Sequence, residues 1–564
     1  MLPRLLLIAS LFAAAVVLAP PAEPGAPAGS ADARARTFIA EHEAKVRPLE
    51  IAANRAWWTA NVSGKDEDFK AKEAAQNKLD QALADKARFT ELKAIREAKP
   101  KDPLLARQIE VLYLMYLAKQ VEPELLKQIT AKENAIEKKF NVYRAKVDGR
   151  ELTDSEVRRV LKESKLSDRR KAVWEASKGV GREVEADLKE LVKLRNEAAR
   201  KLGFKNYHDM QLQLNEQSQE QVLRLFDELD ELTRKPFAEA KQEIDAKLAK
   251  DYGLRPDQLR PWHYHDPFFQ ESPAIFEADL DAVYGKVDIL QLCRAYYAGL
   301  GLPIDDVLAR SDLYEKPGKS PHAFCIDIDR EGDVRVLANI VPNEYWMSTM
   351  LHELGHAVYS SKYISESLPY VLRTCAHILT TEGVAMMMER PSKNADWLLA
   401  MGVKVPDPKA FNETGRKMRR NQLLIFSRWC QVMFRFEKAM YEHPDQDLNK
   451  LWWDLVEKYQ MVKRPEGRDM PDYASKIHIV SAPAYYHNYM MGELFAAQLH
   501  HTIAREVLKT HPDKALYVGR KEVGEFLKKK VFGPGLSMRW DELTRHATGA
   551  ELNAKAFAAD FSGK

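Results

Sequence analysis

The chain has 564 residues, of which 45% are hydrophobic and 30% are charged, as is typical of a globular protein and not of a disordered or membrane-embedded one. Its 86 Lys and Arg side chains nearly balance its 83 Asp and Glu side chains, which leaves a formal net charge of +3. Nothing in this balance indicates a clustered basic face, so we expect no nucleic-acid partner.

The N-terminal segment has the pattern of a signal peptide. Arg4 precedes an apolar run over residues 5–18, and small residues and prolines follow as far as Ala28. The run is shorter than the ~20 residues that a transmembrane helix needs. We therefore expect a signal peptide at 1–28, export to the periplasm or the exterior, and a single mature domain at 29–564. The alternative is an uncleaved N-terminal anchor, which would be the one membrane contact.

Helical periodicity dominates the first part of the mature chain. Four stretches rich in Ala, Leu, Glu, Lys and Arg carry apolar residues every three or four positions, which predicts helices. The clearest helix start is Thr153, with Glu156 three residues later and Val157 following. The four predicted stretches are 33–60, 66–98, 103–140 and 153–201.

The middle of the chain has a different pattern. Residues 251–273 are rich in proline and aromatic residues, which predicts a structured crossing segment. Residues 322–340 alternate β-forming residues around a Glu-Gly turn, which predicts a hairpin. Helical patterns resume at Tyr345. Since no Pro- or Gly-rich linker divides the chain, we expect a mainly α domain with two lobes around a central cleft and a small β element.

Four cysteines lie too far apart in sequence for a CxxC metal site: Cys293, Cys325, Cys375 and Cys430. We expect four buried free thiols. In an oxidising compartment two of them could pair instead, and the sequence does not say which.

The segment TMLHELGHAVY contains His352, Glu353 and His356 in an HExxH pattern. Residues four apart share one face of a helix, so both histidines can bind one zinc ion through nitrogen. Glu353 is then beside the metal and can take a proton from bound water, whose pKa zinc lowers to about 7. The alternative is a helix with two chance histidines. However, apolar residues flank the HExxH segment and predict that this helix is buried. A buried histidine–glutamate pair without a metal would be costly.

A catalytic zinc needs a third protein ligand. No H-x-x-G-x-x-H continuation follows, so a downstream carboxylate is expected. Glu382 lies in an otherwise apolar segment and is the preferred candidate. An ion pair or a helix N-terminal charge would also explain it, and Glu366 and Glu389 are competing candidates.

A second polar cluster lies far along the chain, after residue 475. Peptide hydrolysis passes through an oxyanion, which Tyr and His donors stabilise, while a Lys can hold a substrate carboxylate. A packed aromatic turn is the alternative interpretation. The cluster contains Lys476, His478, Tyr485, Tyr486, His487 and Tyr489.

Together these motifs resemble the angiotensin-converting-enzyme family (M2), from the WWTANV segment near the start to the YYHNY segment. The resemblance implies a large helical gluzincin peptidase with a deep cleft. It also implies one zinc ion per chain on His352, His356 and Glu382, with Glu353 as general base and later acid.

The resemblance assigns further roles residue by residue. His322 and Ala323 match the pair that lines the substrate backbone before the metal helix. His478 matches the transition-state histidine, and Tyr489 would donate to the oxyanion. The substrate's C-terminal carboxylate would be held by three side chains: Gln270, Lys476 and Tyr486.

Several positions depart from the family pattern. Met386 stands where an Asp often supports a ligand histidine. Asn488 stands where chloride-activated members carry Arg, so chloride activation is not expected. His478 and Tyr486 are one residue further apart than in the family, which leaves Tyr485 as a substitute for Tyr486. The hairpin lacks the cysteine pair of animal members, and we expect a bacterial-type protein.

The expected function is a zinc peptidyl-dipeptidase that removes C-terminal dipeptides from a peptide substrate. A zinc oligoendopeptidase fits the same HExxH-plus-Glu pattern, and a non-catalytic binding protein on this fold is a third reading. The sequence does not give the oligomeric state.

Overall fold

The computed structural model describes residues 29–276 and 280–561, so the predicted signal peptide lies outside the described residues. Three of the four predicted helical stretches each form two helices. Asp85 accepts hydrogen bonds from Ala87 and Arg88 N–H, and this cap starts a new helix inside the predicted 66–98 stretch. The first nine helices are α1 (Ala31–Ser63), α2 (Asp66–Leu83), α3 (Lys86–Glu97), α4 (Pro103–Leu117), α5 (Pro123–Val142), α6 (Asp154–Glu163), α7 (Ser167–Lys201), α8 (Tyr207–Leu214) and α9 (Gln219–Tyr252).

The predicted start at Thr153 is confirmed, because its side chain and that of Glu156 form a reciprocal capping box. Residues 251–273 contain only short 3₁₀ turns after α9 ends, as the crossing segment requires. The later helices are α10 (Asp281–Tyr284), α11 (Ile289–Gly299), α12 (Asp305–Arg310), α13 (Glu344–Val358), α14 (Ile378–Glu389), α15 (Ala395–Ala400), α16 (Pro408–Glu442), α17 (Leu448–Leu455), α18 (His478–Ser481), α19 (His487–Thr502), α20 (Lys521–Leu527), α21 (Trp540–Thr548) and α22 (Lys555–Ala559).

Two small hairpins interrupt the helices. The predicted one is present: β3 (Phe324–Asp327) pairs antiparallel with β4 (Val334–Leu337). The other, β1 (Ala145–Val147) with β2 (Arg150–Leu152), was not predicted. Its signal was available in the Asp148–Gly149 pair, since both residues have the positive φ that a tight hairpin turn requires.

Two large hydrophobic cores define the two lobes. The first core contains buried residues of α11, α13, α14 and α19. The second contains residues of α5, α7 and α17 together with the 473–480 segment. Helix α16 contributes to both cores, and Tyr486 packs against both. The mainly α, two-lobed prediction is confirmed. The helices that carry the predicted metal ligands, α13 and α14, belong to the first core, and Tyr486 lies between the two cores.

The prediction of four buried free thiols is confirmed for the free thiols and only in part for their burial. All four are free thiols, but Cys325 and Cys375 are half-buried, not fully buried. Across residues 29–276 and 280–561, none of the helices combines the length and apolar character that crossing a membrane requires.

Candidate active site

The three predicted metal ligands lie together on two packed helices. His352 and His356 are one turn apart on α13, and their Nε2 atoms are 3.2 Å from each other. Glu382 on α14 places Oε2 at 3.5 Å from His352 Nε2 and 3.9 Å from His356 Nε2. The group offers three donor atoms within 4.8 Å of one another. Three such donor atoms can bind a single metal ion.

Glycines set how closely α14 approaches its two neighbours. A Cβ on Gly355 of α13 would lie 2.7 Å from Ala385 Cα, and one on Gly383 of α14 would lie 2.8 Å from the carbonyl oxygen of Gly492 on α19. These approaches are too short for any larger residue without a shift of backbone. Helix α14 is therefore held between α13 and α19 at a spacing that brings Glu382 up to the histidines.

The opposite ring nitrogens of the two histidines also have partners. His352 Nδ1 lies 2.6 Å from Glu389 Oε2, and His356 Nδ1 lies 2.7 Å from Thr381 Oγ1. Such contacts fix ring orientation and point each Nε2 at the shared space. The sequence raised Glu389 only as a competing ligand. Its position seven residues, or two turns, after Glu382 was the signal that both acids face α13.

The other candidates take different places. Glu366 is exposed in the loop after α13. Met386, at the position where the family often has Asp, is buried in the first core. The support for His352 that an acid at 386 would have given comes from Glu389 instead.

The donor set fits zinc. Two Zn–N bonds of ~2.05 Å at a tetrahedral angle separate the nitrogens by ~3.4 Å, close to the spacing seen here. Burial by itself would lower the pKa of His352, but hydrogen bonds to Glu382 and Glu389 raise it well above its usual value. Burial, and then the charge of His352, lower the pKa of His356 to about 4. Two imidazoles and a carboxylate are a set of three protein ligands found in catalytic zinc sites, where a water or substrate oxygen takes the fourth position.

Glu353 lies on α13 beside this group and is 8% exposed. Burial raises its pKa to about 7; the charge of His352 opposes this rise and that of Glu382 adds to it. A carboxyl group with a pKa near neutrality can both accept and return a proton, which suits a general base that later acts as an acid.

Strand β3 passes next to this carboxyl group, since the backbone of Cys325 hydrogen-bonds to Glu353. Among the described residues, β3 is paired on one side only, with β4. His322 and Ala323 lie just before β3; His322 is exposed, and Ala323 packs on the first core. An unpaired strand edge can accept an extended peptide as a further strand.

The three side chains predicted to hold a carboxylate lie together in the second lobe. Lys476 Nζ donates to Gln270 Oε1 at 2.7 Å, and Tyr486 Oη donates to the same oxygen at 3.5 Å. Burial lowers the pKa of Lys476 to about 8. Asp266 accepts hydrogen bonds from the backbone N–H groups of Phe268, Gln270 and Glu271 and so fixes the Gln270 loop, a role that was not predicted.

The tyrosines divide between the two halves of the site. Tyr486 lies with the Lys476 group, and its ring centre is 5.3 Å from that of His478. The rings of Tyr485 and Tyr489 pack edge to face, with their centres 5.3 Å apart. Burial, and then the nearby charge of Glu382, raise the pKa of Tyr489. The geometry therefore groups Tyr486 with the carboxylate site and places Tyr485 and Tyr489 on the metal side.

The segment between His478 and Tyr486 contains a tight turn, where Ala484 has a φ of 54° and donates its N–H to Glu437. His478 has a pKa lowered to about 4 by burial and by Lys476, so the ring is neutral near pH 7. Its Nδ1 has no hydrogen-bond partner among the described residues. A neutral imidazole keeps one N–H group, which can donate a hydrogen bond.

Neutral side chains surround the position where chloride-activated members carry Arg. Asn488 accepts a hydrogen bond from Gln217 Nε2 at 2.8 Å, and Gln217 Oε1 lies 2.8 Å from His487 Nε2. All three are buried, and burial lowers the pKa of His487 well below its usual value. This network contains no cation that would attract an anion.

A helical fold with an HExxH helix and a glutamate from the next helix has the site of a metallopeptidase. The M2 peptidase family model, described as angiotensin-converting enzyme, matches residues 30–261 and 277–563. Because this is most of the sequence, the chain belongs to the angiotensin-converting-enzyme family of peptidases.

Individual relatives are distant. The chain is 22% identical to the angiotensin-converting enzyme of Theromyzon tessulatum over 49% of its own length and 46% of the relative's. It is 25% identical to the angiotensin-converting enzyme-related protein of Drosophila melanogaster over 40% and 38% of the two chains. It is 21% identical to the angiotensin-converting enzyme-like protein Ace3 of Mus musculus, over 68% of its own length and 55% of the relative's. The chain thus spans about half the length of the curated relatives it matches, or less.

Proposed function

We propose that the protein is a zinc-dependent peptidyl-dipeptidase that releases dipeptides from the C-terminus of peptides. The observation that carries the proposal is the pairing of a His352–His356–Glu382 ligand group with a separate carboxylate-binding group at Lys476. A group that binds the substrate's C-terminal carboxylate at a fixed distance from the zinc would select the second peptide bond from the C-terminus for cleavage.

His352, His356 and Glu382 would hold the zinc, which when bound lowers the pKa of water and polarises the scissile carbonyl. Glu353 takes the proton from the attacking water at its carboxylate and later delivers it to the leaving amine, so that one water is consumed per bond cleaved. Tyr489 and the neutral His478 donate hydrogen bonds to the oxyanion that forms when the carbonyl is attacked.

Substrate binding uses the remaining side chains. The ammonium of Lys476, with Tyr486 and Gln270 beside it, holds the C-terminal carboxylate in a buried place, where an ion pair is strong. The edge at His322 and Ala323 aligns the substrate backbone. Together these contacts orient the second peptide bond from the C-terminus at Glu353.

Product analysis by mass spectrometry tests this proposal. One short peptide is offered with a free and with an amidated C-terminus, each with and without a chelator. The proposal expects rapid release of dipeptides from the free peptide, cleavage of the amidated peptide at a rate lower by about 30-fold or more, and no product from either with the chelator. Internal cuts in both peptides would favour an oligoendopeptidase, and a protein that binds no zinc would favour a binding role.

Export is also part of the proposal, and it rests on the pattern at residues 1–28. N-terminal sequencing of the protein from the exported fraction is expected to begin at Gly29. Retention of Met1 on a membrane-associated protein would support an uncleaved anchor.

A further inference from the structure

Arg195 on α7 is a buried cation that joins three helices to the segment containing His478. Its Nε and Nη2 donate to Glu133 Oε1 on α5, at 3.2 and 2.6 Å, and its Nη1 donates to Tyr441 Oη on α16 at 3.1 Å. Two further hydrogen bonds go to the main-chain oxygens of Ile479 at 3.1 Å and Val480 at 2.6 Å. A guanidinium has five N–H donors, so these contacts use them all.

The two main-chain acceptors belong to α18, the single helical turn His478–Ser481. The last carbonyl groups of a helix have no partner within it, and buried carbonyl groups need one. Ile479 and Val480 are both buried. Arg195 therefore supplies, from outside the turn, the donors that α18 cannot supply to itself.

Helix α7 supports the chain that leads into this turn as well. A Cβ on Gly181 would lie 2.3 Å from the main-chain oxygen of Pro471, and Tyr473 Oη donates to Glu185 Oε1 at 3.1 Å. From Gly181 to Arg195 the helix extends about 21 Å, at 1.5 Å per residue. The segment that ends in α18 thus lies along one continuous helix, which is a rigid support for a functional side chain.

The ring of His478 depends on this backbone support. Its Nδ1 has no hydrogen-bond partner among the described residues, whereas His352 and His356 are each fixed at Nδ1 by a neighbouring side chain. The contact of the His478 ring with Tyr486, 5.3 Å between centres, is not a hydrogen bond. Where His478 lies is therefore set mainly by where α18 lies.

The turn that follows α18 has a separate support. Glu437 on α16 is 2% exposed and accepts a hydrogen bond from Ala484 N–H at 2.6 Å. This contact lies just before Tyr486. Arg195 thus acts on the His478 end of the segment and Glu437 on the tyrosine end.

We infer that Arg195 is a positioning residue for His478, which it holds in place through the carbonyl groups of α18 so that the neutral ring can donate to the oxyanion. The inference rests on the proposed function, because it takes His478 as an oxyanion donor. Its effect should fall on kcat and not on KM, since the oxyanion forms only during reaction. The substrate carboxylate is held separately by Lys476 and Gln270, in a loop fixed by Asp266.

Steady-state kinetics of two Arg195 variants test the inference. Arg195→Met is expected to lower kcat by about 10- to 100-fold, because small displacements of a reacting group cost that much. KM, and the ratio of rates with the free and the amidated peptide, should each stay within about twofold. Arg195→Lys keeps the cation and some of its donors, so it should recover part of kcat. It carries the test if Arg195→Met does not fold.

A double-mutant cycle separates positioning from a general loss of stability. His478→Ala alone should lower kcat by about 10²- to 10³-fold, as the loss of one oxyanion donor does. In that background Arg195→Met should cost less than about twofold more, because its effect passes through His478. Losses that multiply would overturn the inference. Arg428→Met, a change at another buried arginine that is paired with Asp230, is the matched control and should leave kcat unchanged.

Hydrogen–deuterium exchange of the zinc-loaded protein tests the inference without catalysis. The N–H groups of Ser481 and Ala482 bond to carbonyl groups one turn back and so report whether α18 is closed. Their exchange should be at least about tenfold faster in Arg195→Met than in the wild type or Arg428→Met. Unchanged exchange would overturn the inference even if peptides are cleaved. Faster exchange in a protein that cleaves no peptide would support the contact and overturn the peptidase.

Discussion

The two halves of the site differ in how the chain builds them. The metal half comes from α13 and α14, which are close in sequence and are brought together by glycine contacts. The carboxylate half joins Gln270 to Lys476 and Tyr486, side chains more than 200 residues apart whose loops are fixed by Asp266 and by the turn at Ala484. The metal half is thus a local arrangement of helix faces, whereas the carboxylate half depends on how segments distant in the chain pack together in the second core.

This difference assigns chemistry to one half and substrate selection to the other. Changes on α13 and α14 should affect turnover or metal binding with every substrate. Changes at Lys476 should instead depend on the substrate's C-terminus.

The largest effect is expected for Glu353→Gln. An amide of the same size cannot take the proton from water, so kcat should fall by about 10²- to 10⁴-fold. Zinc content measured by mass spectrometry should remain one per chain, because Glu353 is not in the ligand group. A variant with full activity would contradict the assigned role.

Lys476→Met should affect substrates selectively. Removing one partner of a buried charge pair costs about 2 kcal/mol or more, which lowers kcat/KM for a free peptide by about 30-fold or more. The amidated peptide serves as the internal control, since it has no carboxylate to lose. Equal losses with both peptides would mean that Lys476 acts structurally.

Glu389→Gln tests the support of the metal half. Weakening the partner of a ligand histidine typically costs 10- to 100-fold in metal affinity. Competition with a chromophoric chelator should therefore show zinc affinity reduced by about that factor. Glu366→Gln, an exposed acid in the loop after α13, is the matched control and should leave the affinity unchanged. If both variants bind zinc like the wild type, Glu389 does not orient His352.

The same contrast explains what the sequence could predict. His352, Glu353 and His356 were accessible because a helix repeats every 3.6 residues, and Glu382 because it is the lone acid in an apolar stretch. The contact of Glu389 with His352 could not be predicted from the sequence, since it depends on the spacing of α13 and α14. The helix break at Asp85 was missed because the apolar periodicity continues across it, although an aspartate cap is a recognised helix start.

In the carboxylate half, sequence reasoning from the residues alone could not reach Gln270. It came from a family resemblance, and the choice between Tyr485 and Tyr486 stayed open. The fold groups Tyr486 with Gln270, to whose side-chain oxygen the Tyr486 hydroxyl donates a hydrogen bond. The burial of Lys178 on α7 could not be predicted for a related reason: in the sequence it is one charge among many on what looks like a solvated helix face. Only the packing of α7 against the Phe268 loop buries it.

A pH effect should appear in the carboxylate half. The Lys476 ammonium must be protonated to bind a carboxylate, and burial lowers its pKa to about 8. As pH rises above 8, kcat/KM for the free peptide should fall about tenfold per unit relative to the amidated peptide. Taking the ratio of the two peptides removes titrations that they share. A ratio that stays flat up to pH 10 in the wild type, as expected for Lys476→Met, would contradict the assignment.

The smallest effect concerns chloride. The buried Gln217–Asn488–His487 network is neutral and internally hydrogen-bonded, so an anion would gain no ion pair there and would displace existing hydrogen bonds. Exchanging chloride for acetate at constant ionic strength, which keeps screening the same, should change kcat/KM by less than about twofold. A strong and saturable activation by chloride would show that an anion binds elsewhere in the cleft.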